Sequence, residues 1–247
     1  FKSLWLKECN RFLAVWQQTL LSPLVSSLLF LSVLTLALGS EKGEVLGYPF
    51  ISFLAPGLIA MSILTQSFSH SVSSLMIAKI QGNIVDMLYA PLSALEVSMA
   101  IILAATTRSL LIAIISILIF SIIIEIHIYS IIYIFIFAFL GSFILGALGF
   151  IAGLWAEKFD HTATVTNFVI TPLSFLSGVF YSIDRLPPFF LTISSFNPFF
   201  YVIDGFRYGF LGVSDGSIIF GIIYLTILTF ITGFMAFYLY KKGYKIK

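Results

Sequence analysis

The sequence predicts an all-α membrane protein of six transmembrane helices, and three observations carry that prediction. Six long apolar runs fill most of the chain, and the charged residues are swept into the gaps between them. Most of these runs reach about 20 residues, the length a helix needs to cross a hydrocarbon core of roughly 30 Å, where only bonding within the segment satisfies the backbone. Composition agrees: hydrophobic residues are 60%, charged residues 10%, and mean hydropathy is +1.08, whereas a soluble domain carries about 25% charged residues. Function is therefore expected at a membrane, in one domain covering 1–247. The net charge of +2 is too small to argue for nucleic acid, and a single cysteine, Cys9, excludes a disulfide framework or a multi-cysteine metal site.

Residues 1–20 place Phe1, Trp5, Cys9, Phe12, Trp16 and Leu20 at spacings of three and four, with Lys2, Lys7, Glu8, Asn10, Arg11, Gln17 and Gln18 largely off that stripe. The pattern predicts an amphipathic helix lying in the membrane interface, or a helix docked on another protein. Spans are expected at about 21–39, 51–73, 97–124, 128–154, 163–181 and 216–240. Pro23 enters the first span near its first turn, where a missing N–H does no harm. A mixed segment, 74–96, separates the second and third spans, Glu125, His127 and Tyr129 mark the next turn, and AEKFDHT at 156–162 precedes the fifth span. Pro187, Pro188 and Pro198 interrupt the apolar stretch Leu186–Ile203. Residues 182–215 are thus expected to form short re-entrant or interfacial helices rather than a seventh span.

An even span count puts both termini on one side. With them cytoplasmic, Lys2, Lys7, Arg11, Lys79, Lys158, Lys241, Lys242, Lys245 and Lys247 lie inside, against Lys42, Arg185 and Arg207 outside. That bias predicts an N-in, C-in topology.

Ionisable groups within a membrane are costly and mark function, so their scarcity is informative. Arg108 is the one formal charge well inside an expected span. It faces substrate or a partner, or, if its helix starts later, it snorkels to the cytoplasmic face or caps carbonyls. His70 is placed near a boundary, and no mid-membrane acid–base relay is visible. Asp204 and Arg207, three residues apart, read as a local ion pair. No nucleophile–base arrangement, metal cluster or phosphate-binding glycine loop stands out, so no catalytic, cofactor-binding or metal residues are expected. Gly149 with Gly153, and Ser142 with Gly146, form small-xxx-small pairs that suit close helix packing, either inside one bundle or at a moving seam between subunits.

Three stretches carry a resemblance: KIQGNIVDMLYAPLSALE at Lys79–Glu96, FVITPLSFLSGVFYSIDRLPPFF at Phe168–Phe190, and NPFFYVIDGFRYGFLG at Asn197–Gly212. Their order and spacing on a six-span, N-in chain resemble the ABC type-2 transporter permeases. The resemblance implies that residues 1–20 form the family's interface helix and that Tyr181–Asp215 holds paired short helices closing the outer end of the pathway. It implies that Gln81–Pro91 forms a cytoplasmic coupling helix seated in a separate ATP-binding subunit, with Gln81, Gly82, Ile84, Asp86, Met87, Leu88 and Pro91 at that interface. It also implies a homodimer with the substrate route between the copies, contacts with membrane lipids, no nucleic acid, and ATP and magnesium held by the partner subunit. Independently, Met76, Ile80, Ile84, Met87 and Leu88 fall on one helical stripe, which predicts a rigid loop.

The chain is therefore expected to be the permease of an ATP-driven exporter in a bacterial inner membrane, not an enzyme itself. The main rival is an ion-gradient-driven secondary transporter.

Overall fold

The computed structural model describes residues 1–42 and 44–245, without the side chains of 38–42 and 185. Lys247 and the side chains of Lys42 and Arg185, counted in the charge bias, lie outside the described residues. The chain is 81% helical. In order come α1 (Lys2–Ala14), a π-helical turn (Gln17–Leu21) running into α2 (Ser22–Lys42), a hairpin of β1 (Glu44–Val45) and β2 (Tyr48–Pro49), α3 (Phe50–Ile80), α4 (Ile84–Tyr89), α5 (Ala94–Ile123) and α6 (Ile131–Trp155). Then follow α7 (Phe159–Val165), a second π turn (Thr166–Ile170), α8 (Thr171–Phe175), a 3-10 turn (Ile183–Arg185), α9 (Pro188–Phe196), α10 (Pro198–Leu211) and α11 (Ile218–Lys241).

Among the described residues, five helices are long and apolar enough to cross a membrane: Gln17–Ala37, α3, α5, α6 and α11. The fold is thus that of an all-α membrane protein. The fifth expected span is helical from Phe159 to Phe175 through α7, the π turn and α8, with helical backbone at both junctions. At 1.5 Å per residue it is about 25 Å long. Pro172 explains the π turn just before it, because proline removes a backbone donor and crowds the preceding turn, which a wider turn relieves.

Local chemistry sets the other ends. Ser93 and Glu96 form a reciprocal capping box at the start of α5. The Asn197 side chain accepts from the Phe199 N–H at 3.1 Å, and Pro198 opens α10. α10 stops at Gly212, whose φ of +70° suits glycine and little else.

α3 forms the centre, packed most extensively on α6 and also on α5, α10 and α2. Its main apolar cluster includes Phe53, Leu64, Phe120, Phe137 and Phe206, and a second cluster at the other end joins Leu4, Leu75, Val97, Phe150 and Tyr240. The glycine-bearing face of α6 is an internal seam: a Cβ on Gly149 would collide with the backbone of Phe68, and one on Gly153 would press on Leu75. Ser67 Oγ also donates to the Ser142 carbonyl across it.

Three expectations need correction. The amphipathic helix ends at Ala14 instead of running through residue 20, and its buried side is Leu4, Glu8, Cys9 and Phe12, while Phe1 and Trp16 are exposed. The backbone leaves the helical region at Val15 (φ −118°, ψ 39°), and Glu8 faces inward because it finds buried polar partners, described below. The second span continues to Ile80, so Met76 and Ile80 belong to α3 and not to a loop helix. Finally, Pro23 sits inside a continuous helical run beginning at Gln17, so the Thr19 carbonyl lacks its usual donor four residues on, and Arg108 supplies one.

Candidate functional site

At the end of the bundle that holds the C-termini of α3, α6 and α11, the chain turns sharply. Gly82 takes φ +76°, a conformation without strain only for glycine, and separates α3 from α4. Asn83 Nδ2 donates to Gln81 Oε1 at 3.1 Å within that turn. α4 is one and a half turns long and stops where Ala90 becomes extended ahead of Pro91. Ile84 is buried and Met87 half-buried, both against the cluster around Leu75 and Val97. On the opposite side Val85, Leu88 and Tyr89 are exposed, Tyr89 at 87%. Asp86, Gln81, Gly82 and Pro91 are exposed as well. The seven residues singled out from sequence thus share one turn–helix–turn, but Ile84 and Met87 hold it to the bundle rather than presenting themselves outward. Val85 and Tyr89 were missed because the stripe was drawn through Met76 and Ile80, across a break that the glycine imposes.

This turn has a floor that sequence could not show. Lys79 Nζ donates to the carbonyls of Leu154 and Ala156, so the end of α3 is fastened to the end of α6. A cavity of about 720 Å³ lies beside α4, walled by Ile80, Val85 and Leu88 on one side and by Glu157 and Lys245 on the other. Lys245 Nζ lies 3.1 Å from Glu157 Oε1. That hydrogen bond and the lysine charge hold the Glu157 carboxyl below the usual carboxylate range.

Two buried polar groups stand further in. Glu8 is 5% exposed on α1; its carboxylate accepts from Ser74 Oγ at 2.8 Å, pairs with Arg11 at 2.9 Å and lies 3.8 Å from His70 Nε2. His70 is itself 1% exposed, with Phe12 edge-on to its ring. Arg108, 7% exposed, donates through Nη2 to Gln66 Oε1 and to the Thr19 carbonyl. It therefore does not snorkel; it bridges the π turn, α3 and α5.

At the opposite end, Asp204 and Arg207 do not pair. Asp204 accepts the N–H groups of Asp215 and Gly216, both at 2.9 Å. Arg207, 1% exposed, donates to the Gly178 carbonyl at 2.6 Å and stacks 3.7 Å over Phe53. Helical spacing put them on one side of α10, but each finds stronger unsatisfied backbone partners. Asp215 in turn accepts from Ser182 Oγ at 2.6 Å. The turn after α8 is thereby tied to α10 and to the loop ahead of α11.

The family model for ABC-2 type transporters matches residues 1–211. The chain belongs to that family. It is 35% identical to the inner membrane transport permease YadH of Escherichia coli strain K12 over 231 residues, 93% of this chain and 90% of that one. It is 25% identical to nodulation protein J of Rhizobium leguminosarum bv. viciae, over 84% of this chain and 82% of that protein, and 23% identical to nodulation protein J of Sinorhizobium fredii strain NBRC 101917 / NGR234, over 77% and 74%. As an ABC-2 family member it is a multi-pass membrane component of a transporter.

Proposed function

We propose that this ABC-2 chain is the permease subunit of an ATP-driven exporter in a bacterial inner membrane, six-spanning, with both termini cytoplasmic and the run 159–175 as its fifth span. It works as a homodimer, binds no cofactor itself, and takes its driving force from a separate subunit that holds ATP and magnesium. The short α9 and α10 close the outer end, and α1 lies at the inner face among lipid headgroups.

The observation that carries the coupling assignment is α4: a helix fenced by Gly82 and Pro91, anchored by Ile84 and Met87, and exposing Val85, Asp86, Leu88 and Tyr89 beyond the ends of α3 and α5. Apolar side chains that face outward beyond the spans fit a partner's groove better than water. A push on such a helix biases two packings of the spans, which is all a permease needs to supply. The test is co-purification and stimulated ATP hydrolysis with the ATP-binding subunit. Leu88→Ala with Tyr89→Ala should lower both at least tenfold while leaving the permease's melting temperature unchanged; unchanged coupling would remove α4 from the interface.

The buried Glu8–His70 pair is the one observation that favours a gradient-driven secondary transporter. Its surroundings argue for structure instead, because Arg11 and Ser74 already occupy the Glu8 carboxylate. Uphill flux in vesicles containing this chain alone, driven by a proton gradient and lost in His70→Gln, would overturn the permease reading.

A further inference from the structure

α5 and α6 run antiparallel and touch at Gly146, where an added Cβ would lie 3.4 Å from the Cβ of Ala105. Eight residues nearer the α10 end, about 12 Å along each axis, stand Ala113 of α5 and Ala138 of α6. Both are small and buried, at 4% and 2% exposed, yet the helices do not close over them. A crevice of about 370 Å³ runs between the two, with Ala113 and Ala138 in its floor and Leu110, Ile117 and Ile134 alongside. Ile114, Leu118, Ile131 and Phe135 form its rim, 54–70% exposed. Every lining side chain is apolar.

We propose that this crevice holds one acyl chain of a membrane phospholipid, seated as part of the fold. The proposal needs only that the protein lies in a bilayer, and it is independent of the transport reading. Chemistry excludes water, which needs polar partners and finds none among the lining side chains. Size excludes a helix, whether from another protein or from a second copy: a cylinder about 10 Å across and 12 Å long takes roughly 900 Å³. An extended hydrocarbon chain is thin enough. It is also what the rim already meets, because the exposed Ile122 and Ile132 continue the same apolar band along α5 and α6. Without such an occupant the buried walls would forfeit their dispersion contacts on one side. Ile134 gives the site a structural consequence. Its Cγ1 lies 2.5 Å from where a Cβ on Gly209 of α10 would stand, and the Ser130 N–H donates to the Gly209 carbonyl at 2.8 Å. The acyl chain thus backs the side chain on which α10 rests.

The experiment is native mass spectrometry of the purified full-length protein, released from detergent micelles supplemented with either a phosphatidylethanolamine or a phosphatidylglycerol. As collision energy strips the boundary lipids, one phospholipid per protein should survive longest, with either headgroup. Ile114→Ser with Leu118→Ser alters two rim residues that are more than half exposed. It should lower the surviving fraction at least fivefold and leave the far-UV spectrum unchanged. Ile114→Trp, which fills the crevice without adding a charge, should do the same. Ile223→Ser with Ile227→Ser is the control, at two α11 residues each 55% exposed and outside the crevice, and should leave retention as it was. No surviving phospholipid in the unaltered protein, or equal loss in the crevice and control variants, overturns the site. Survival of one headgroup only overturns the acyl-chain class. In Cys9→Ser with Leu118→Cys, a disulfide between two copies in the membrane places a second copy over the crevice and also overturns the proposal.

Discussion

Gly149→Ala is the most direct probe of how the bundle is held. In lipid there is no aqueous hydrophobic drive between helices, so α3 and α6 associate through close packing and interhelical bonds. The added methyl would collide with the carbonyl oxygen of Phe68 and stand 3.1 Å from its carbonyl carbon and Cα. A helical carbonyl cannot swing aside without breaking its own hydrogen bond, so the seam must open. Overpacking of this kind costs about 1–3 kcal/mol, roughly a 5- to 150-fold change in the folded ratio. Gly233→Ala is the control: its methyl would meet a side-chain carbon of Phe143 at 3.2 Å, and a ring can yield by a few tenths of an ångström. Reversible unfolding in mixed micelles should show Gly149→Ala destabilised by about 1–3 kcal/mol and Gly233→Ala by under about 0.5 kcal/mol. Equal effects from the two would refute the claim that backbone contact at Phe68 holds the seam.

Three further outcomes are expected. Glu8→Ala leaves Arg11 and Ser74 without their shared acceptor, and should lower stability by about 1–3 kcal/mol and speed tryptic cleavage within α1 at Lys7 and Arg11. Arg207→Met removes a buried charge-assisted hydrogen bond and the stacking over Phe53, a loss of about 2–4 kcal/mol, read as faster thiol labelling of a Ser182→Cys reporter at the outer turn. Burial raises the Asp204 carboxyl from 3.8 to about 6, despite the N–H bonds from Asp215 and Gly216 and the charge of Arg207. Between those values the folded chain keeps a proton that the unfolded chain has lost, so stability should fall as pH rises through that window, and Asp204→Asn should flatten the slope in thermal melts.

Most of the helices were legible from sequence because hydropathy and charge placement act over whole segments, as in α5 and α6, where span and helix nearly coincide. The turn–helix–turn around α4 was legible in outline, since Gly82 and Pro91 are local punctuation. What the spacing could not show was that Gly82 takes a left-handed turn, which reassigns Met76 and Ile80 to α3 and turns Val85 and Tyr89 outward. Nor could it join Glu8 to His70, or Arg108 to Thr19, because those meetings depend on how α1 and α2 pack against α3 and α5. Asp204 and Arg207 show the reverse failure. Their spacing was read correctly, but it could not reveal that loop and turn backbones would compete for both side chains.

The Lys79 ammonium, resting on the last carbonyls of α6, has a mechanical corollary. Above it the Gly149–Phe68 seam already prevents α3 and α6 from sliding, and the lysine stops their lower ends from splaying apart. On the proposed coupling, a thrust delivered to α4 would be handed to two membrane helices as one stiff plank, and Lys79→Met, which removes the fastening, should leave ATP hydrolysis running while transport falls behind it.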